Sequence, residues 1–273
     1  MDDLHFSQLL DRLGMSWKGY RKVRKGVKKR ISRHMHHLGC RTMEAYLRYI
    51  DEAPEHLRAV EQLLTVSISH FFRDHRLWRT LEEKIIPRII EQNPTAVEVW
   101  SAGCALGQEA YSVAMMWSRF SRNIEPLPAL HLWATDMNPD YLQKAMDGTY
   151  RKGALKGIPD EIKSSFFHPS EDGSGHTINA VVKHAIIWQA YDLIRDPAPS
   201  SKFHLIFLRN NLLTYYRPEI IAPSFRKVVD CLADGGFIII GSHEKLPAGS
   251  HDLVFFDGST YIFQKIRISR YRA

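Results

Sequence analysis

Residues 96–120 read AVEVWSAGCALGQEAYSVAMMWSRF. An apolar strand pattern opens the stretch, two glycines interrupt it, and apolar positions then recur every three or four residues. A strand that turns through glycines into a helix is the opening unit of an open α/β sheet. LHLWATD (130–136) predicts a second strand and Pro139–Asp147 a short helix. FHLIFLRN (203–210) predicts a strand, Pro218–Leu232 a helix and GFIIIGS (236–242) a further strand. LVFFDGSTYIFQKI (253–266) reads as two strands around an Asp-Gly turn. The expected fold is therefore α/β: a mostly parallel, doubly wound sheet closed by a C-terminal antiparallel hairpin. Residues 150–190 break the alternation, with the turn-rich EDGSG followed by weakly alternating GHTINAVVKHAIIWQA. They predict a small antiparallel insertion.

Residues 1–90 carry helical patterns only, which divides the chain into a helical domain over 1–90 and a sheet domain over 91–273. Tyr20, Val23, Val27, Ile31, Met35 and Leu38 form one apolar helix stripe, with Gly39 as its stop. Lys18, Lys22, Lys25, Lys29 and Arg33 form a neighbouring basic stripe. Two more helices follow around Thr42–Asp51 and Pro54–Val66. Residues 1–50 hold 12 Lys and Arg against 4 acids, whereas the remaining 223 hold 25 against 26. The net charge of +7 thus resides in the first fifth of the chain, which suggests an acidic partner there.

The 44% hydrophobic content excludes a disordered or collagen-like chain. No apolar run approaches the roughly 18 residues of a membrane helix, and MDDLHFSQLL lacks the pattern of a secretory signal. Cys40, Cys104 and Cys231 are scattered without a CxxC pair, so a reducing, cytoplasmic setting is expected. His34, His36 and His37 with Cys40 lack tetrahedral ligand spacing, and no metal is expected. Cys104 reads as a small packed residue.

The chemistry should gather at the carboxyl ends of the strands. Gly103 and Gly107 bracket the first strand–helix turn, where glycine either admits a ligand to the backbone or simply supplies a positive φ. Asp136 ends the second strand, where a carboxylate can accept both hydroxyls of a ribose. Together these point to a nucleoside cofactor without separating NAD from S-adenosylmethionine (SAM). Arg73, in SISHFFRD (67–74), precedes the sheet, and LRNN (208–211) puts Arg209 and Asn210 at the end of a central strand. An arginine there suits bidentate carboxylate recognition.

Seven segments, in order, resemble the CheR family of chemoreceptor glutamate methyltransferases. They are RISRHMHHLGC, AYLRYI, SISHFFRD, VWSAGCALGQEAYS, ATDMNPDYLQKAMDGTYRKGAL, FHLIFLRNNLLTYY and LADGGFIIIGSHEKLP. The resemblance implies SAM as cofactor and S-adenosylhomocysteine as product. It places Arg73 and Ser69 near the methionine end, Gly103 and Glu109 along the amino-acid part, and Asp136 and Met137 at ribose and adenine. Asp192 and Leu193 in YDLI match the segment beside the adenine, Arg209 would face the substrate carboxylate, and Asn210 would adjoin the cofactor. The family's GEEPYS reads GQEAYS here, so Gln108 and Ala110 depart from it while Glu109 survives. Thr214 stands where the family has a tyrosine close to the reacting methyl. Tyr215 or Tyr216 substitutes only if this segment is re-aimed.

The implied reaction is methyl esterification of receptor glutamates. Arg73, Arg209 and Thr214 are the expected catalytic residues. Lys22, Lys25, Lys29 and Arg33 are the expected docking surface for the acidic coiled coil of a chemoreceptor's cytoplasmic domain. The family's β-subdomain can also take a receptor's carboxyl-terminal pentapeptide as an added strand. Thr214 and Gln108 motivate one alternative, a regulatory module that binds SAM or S-adenosylhomocysteine without turnover. A nucleic-acid methyltransferase is the other, although no NPPY-like element or catalytic cysteine pair accompanies the basic helix.

Overall fold

The computed structural model describes residues 1–93, 95–122, 124–199 and 202–266. Five helices lead: α1 (Asp3–Arg12), α2 (Trp17–Tyr20), α3 (Arg24–His37), α4 (Met43–Glu52) and α5 (Pro54–Leu64). Asp2 caps α1 by accepting from the His5 N–H at 2.8 Å, Thr42 caps α4 through the Ala45 N–H, and Pro54 opens α5. Next come α6 (His75–Thr80), a wide π turn (Leu81–Ile85) and α7 (Ile86–Gln92). The sheet domain continues with β1 (Ala96–Ala102), α8 (Gln108–Phe120), β2 (Ala129–Asp136) and α9 (Pro139–Asp147). The insertion holds β3 (Thr149–Tyr150), α10 (Asp160–Phe166), β4 (Phe167–Pro169), β5 (His176–Ile178) and α11 (Ala180–His184). Then follow β6 (Ile186–Ala190), β7 (Phe203–Leu208), α12 (Leu212–Tyr215), α13 (Pro218–Asp230), β8 (Leu232–Ile240), β9 (Leu253–Phe255) and β10 (Ile262–Lys265).

The described residues form a seven-stranded sheet in the order β6-β2-β1-β7-β8-β10-β9. β6, β2, β1, β7 and β8 run parallel, and β10 enters antiparallel between β8 and β9. The strand order reverses between β1 and β7, which opens a crevice above their carboxyl ends. Along β1, Val97 and Val99 face one core with Met115 of α8, while Trp100 faces the other with Phe225 and Val228 of α13. Both faces of the sheet are thus covered, as its near-continuous apolar strands require.

Three expectations are corrected. The basic segment is not one helix, because α2 ends at Tyr20 and α3 starts at Arg24. The short α2 is docked on the 214–215 backbone: the Ser16 N–H donates to the Tyr215 carbonyl, and Gly19 presses so closely on the Thr214 carbonyl that a Cβ would overlap it. The stripe still buries Tyr20, Val27 and Ile31 in the helical core with Phe6, Tyr46 and Leu64. The helical unit also ends earlier than residue 90. Leu77, Leu81, Ile85 and Ile89 of the α6–α7 stretch pack on the sheet, so by packing the division lies just beyond Val66. Finally, only part of 150–190 is antiparallel. β3, β5 and β4 form a small three-stranded sheet, whereas β6 joins β2 in parallel. Its partly exposed side chains made that edge strand resemble the insertion.

Candidate functional site

One cleft of about 1140 Å³, counting its open mouth, lies over the ends of β1, β2 and β7. It gathers Ser69, Arg73, Gly103, Glu109, Asp136, Met137, Asp192, Leu193, Arg209 and Asn210 into one lining. Thr214 does not join them. Its hydroxyl donates to Glu244 Oε1 at 2.5 Å, and Tyr215 and Tyr216 line the cleft instead. In this segment the threonine hydroxyl is thus held outside the cleft lining, and the two tyrosines that follow it stand in that lining.

The β1–α8 turn is built by its glycines. Gly103 and Gly107 have φ of +84° and +83°, where a side chain is strained. The space a Cβ would take is filled at Gly103 by the Asn211 amide and at Gly107 by Trp188 and Ala145. Both glycines therefore serve packing at the turn, and Gly103 also stands in the cleft lining. The N–H groups of Gly103 and Cys104 both reach the Thr135 carbonyl at 2.8 Å, which folds the turn against the end of β2. Burial pushes the Cys104 thiol up, in keeping with a packed residue.

Asp136 is 9% exposed and accepts from the Ala105 and Asn138 N–H groups, each at 2.9 Å. Desolvation raises its carboxyl above the ordinary 3.8 in spite of these backbone donors. The Arg209 side chain is only 5% exposed. It pairs with Glu109 at 3.2 Å and with Asp74, and its Nε–H is buried without a partner among the described residues. Ser101 donates to the other Glu109 oxygen at 2.8 Å. Arg73 sits between Phe72 at φ +49° and Asp74 at φ +65°, two strained positions that fix its approach, and donates to the Ile68 carbonyl. Asp192 spends its carboxylate on the Ile194 N–H at 2.8 Å and on Arg195 at 2.7 Å. Gln108 is buried, with its side-chain carbonyl oxygen unpartnered among the described residues.

Several lining residues escaped sequence reasoning. Met15, Tyr20, Glu61 and Leu64 form a wall supplied by the helical region. Glu61 is 4% exposed and forms a bidentate pair with Arg195 at 2.5 and 2.8 Å. The signal was present, since Glu61 falls between Val60 and Leu64 on the apolar stripe of α5, a position where an acid needs a buried partner. Asp74 adjoined Arg73 in SISHFFRD and could have been paired with the second arginine.

The donors suit SAM. Asp136, a buried carboxylate with no cation paired to it among the described residues, can accept ribose hydroxyls. Glu109 and Arg73 offer opposite charges for an amino-acid zwitterion. Tyr191, Leu193 and Ile194 offer a mainly apolar surface for a purine. Among the described residues no group of His, Cys, Asp and Glu could hold a metal ion, and no helix is long and apolar enough to cross a membrane.

Comparison with known proteins agrees with this chemistry. Residues 67–262 match the family described as CheR methyltransferase, SAM binding domain. The chain is 29% identical over 248 residues to a chemotaxis protein methyltransferase of Listeria innocua, covering 90% of each. It is 30% identical over 190 residues to the chemotaxis protein methyltransferase of Vibrio parahaemolyticus, covering 69% of this chain and 68% of that one. An uncharacterized 104.1 kDa protein of Rhodobacter capsulatus is 27% identical over 243 residues, and there the chain spans 25% of the relative. The fold, the cleft and a match across most of the sheet domain agree: the chain belongs to the CheR methyltransferase family, with SAM as its cofactor.

Proposed function

We propose that this protein transfers the methyl group of SAM to glutamate side-chain carboxylates on the acidic helical cytoplasmic domains of chemoreceptors, leaving methyl esters and S-adenosylhomocysteine. The observation that carries this reading is Arg209, a buried guanidinium at the end of β7 that already gathers two carboxylates, Glu109 and Asp74. SAM supplies an electrophilic methyl on its sulfonium. The acceptor carboxylate is ionised at neutral pH, so no general base is needed. The protein's task is alignment and exclusion of water. Arg209 holds one acceptor oxygen in place of Asp74, and the other oxygen attacks. Asp136 accepts the ribose hydroxyls, with Met137, Asp192 and Leu193 beside the adenine. Glu109 and Arg73 bind the two ends of the amino-acid part, with Gly103, Ser69 and Asn210 alongside.

Lys22, Lys25, Lys29 and Arg33 are exposed, and among the described residues no carboxylate pairs with them. Their neighbours Arg24 and Lys28 are instead taken by Asp3. That free stripe supports docking of an acidic helix. The small sheet leaves β3 and β4 as edges, either of which suits an added peptide strand.

Thr214, turned out of the cleft, favours one alternative: a module that binds the cofactor without turnover. Incubation with methyl-labelled SAM and chemoreceptor-containing membranes separates the two. Label released as methanol by mild base supports methyl-ester formation. Calorimetric SAM binding without any transfer supports the module.

A further inference from the structure

We infer that Glu244 is a positioning residue for the proposed transfer, stapling the ends of β7 and β8 so that Arg209 faces the cleft. This rests on the proposed methyl transfer. Leu208 and Ile240, the last residues of β7 and β8, stand in register, so the segments beyond them leave the sheet side by side. Glu244 lies at the far end of the turn after β8, and its N–H closes that turn on the Gly241 carbonyl at 2.9 Å. Its Oε2 accepts the Gly241 N–H at 2.6 Å and, from the other strand, the Asn210 N–H at 3.0 Å. Its Oε1 accepts the Thr214 hydroxyl.

One carboxylate thus holds both ends of the five residues 210–214 and ties them to the neighbouring strand. Asn210 sits at φ +55°, a left-handed conformation that asparagine tolerates better than most residues, and the tie fixes the chain in it. Gly241 makes room for it, since a Cβ there would lie 2.8 Å from Glu244 Oε2 and 2.6 Å from the Asn210 amide oxygen. Arg209 precedes Asn210 and Tyr215 follows Thr214, and both line the cleft. Glu244 does not line it. It acts on the reaction through the direction it imposes on its neighbours.

The contacts specify how substitutions should behave. A glutamine can place its carbonyl oxygen where Oε2 stands, keep both N–H bonds, and donate its amide to the Thr214 oxygen. An alanine loses all three bonds. For Glu244→Ala we expect turnover to fall on the order of 100-fold, the scale of an ångström's misalignment, while SAM affinity stays within about threefold. Glu244→Gln should keep turnover within about threefold of wild type, a difference under about 0.7 kcal/mol. Turnover, calorimetric SAM affinity and amide hydrogen exchange at Asn210 and Gly241 are measured on the full chain. Exchange should accelerate in Glu244→Ala and stay slow in Glu244→Gln.

The inference is overturned if Glu244→Ala turns over normally, if Glu244→Gln falls as far as Glu244→Ala, or if SAM affinity drops in step with turnover. If Glu244→Ala does not fold, Glu244→Gln decides: wild-type turnover and exchange support the staple, and their loss overturns it. A wild-type protein that methylates no carboxylate acceptor refutes the proposed function instead. The exchange comparison alone then judges the staple.

Discussion

Arg209 and Glu109, 100 positions apart in sequence, meet at 3.2 Å inside the cleft, one at the end of β7 and the other in the first turn of α8. The pair joins the proposed acceptor site to the proposed cofactor site. Arg209→Ala is expected to reduce methyl transfer on the order of 100-fold, through lost alignment of the acceptor. SAM affinity should shift by less than about tenfold, or 1.4 kcal/mol, since Glu109 keeps its hydrogen bond from Ser101. Transfer assays paired with calorimetry check this. Loss of cofactor binding in a folded Arg209→Ala protein would place Arg209 in the cofactor site rather than the acceptor site.

The raised Asp136 carboxyl gives cofactor binding a pH dependence. Its folded-state value lies above 3.8, so the ionised form is disfavoured in the cofactor-free fold. The stability this group contributes is fully present below 3.8 and is lost as pH rises through the raised value. Ribose hydroxyls donate to the ionised carboxylate, so SAM affinity should decline as pH falls into that window, and binding there should release protons. Calorimetry in buffers of different ionisation heat reads the release. Asp136→Asn should abolish it, and should cost about 1–3 kcal/mol of stability by setting an amide N–H against a backbone N–H. Proton release unchanged in that variant would assign the titration elsewhere.

Two adjacent basic residues of α3 should behave differently. Lys29 is exposed, whereas Arg30 donates to the Leu63 and Thr65 carbonyls at 2.8 and 2.7 Å. Reversing Lys25 and Lys29 to Glu is expected to weaken acceptor binding by about 1–3 kcal/mol at low salt, with the effect fading as salt screens it. Melting temperature and SAM binding should not move. Arg30→Ala should instead cost about 1.5–3 kcal/mol of stability with little salt dependence. Acceptor binding indifferent to both salt and the charge reversals would remove α3 from the docking surface.

Glu61 and Arg195 clasp the helical region to the loop after β6. Glu61→Ala strands a charge, yet Arg195 keeps Asp192 and remains 35% exposed. The expected loss is therefore about 2–3 kcal/mol, below the 3–5 of a fully buried pair. That corresponds to a melting temperature lower by about 4–10 °C. SAM binding should weaken as well, because Glu61 and Ile194 share the cleft lining. A thermal scan with and without SAM distinguishes the two effects.

What the sequence made legible was local. Pro139–Asp147 was read to the residue because Asn138 caps it and Pro139 starts it within four positions. Asp136 could be placed because a strand end is itself a location. The direction of the Thr214 side chain was not legible because its hydroxyl answers to Glu244, 30 positions onward in the turn after another strand. The break between α2 and α3 carries no proline, and the partner on which α2 docks, the 214–215 backbone, lies in the opposite half of the chain. The Gly103–Gly107 turn stands where the pattern puts it, but Asn211 and Trp188, which fill the space beside its glycines, come from distant segments. Pattern reports what a residue requires of its neighbours along the chain, and the cleft is made by neighbours across it.

The seam between residues 11–20 and 214–217 has a consequence for the order of assembly. Met15 bridges Tyr216, and Asp11 pairs with Arg217 across 206 positions. A chain leaving the ribosome can form α1 to α5 long before their docking partner exists, so this wall of the cleft is among the last features to close. By the same loop-closure cost it is among the first to open. Mild denaturant is then expected to abolish SAM binding while circular dichroism still reports an intact sheet, leaving a folded chain that has lost its grip on the cofactor.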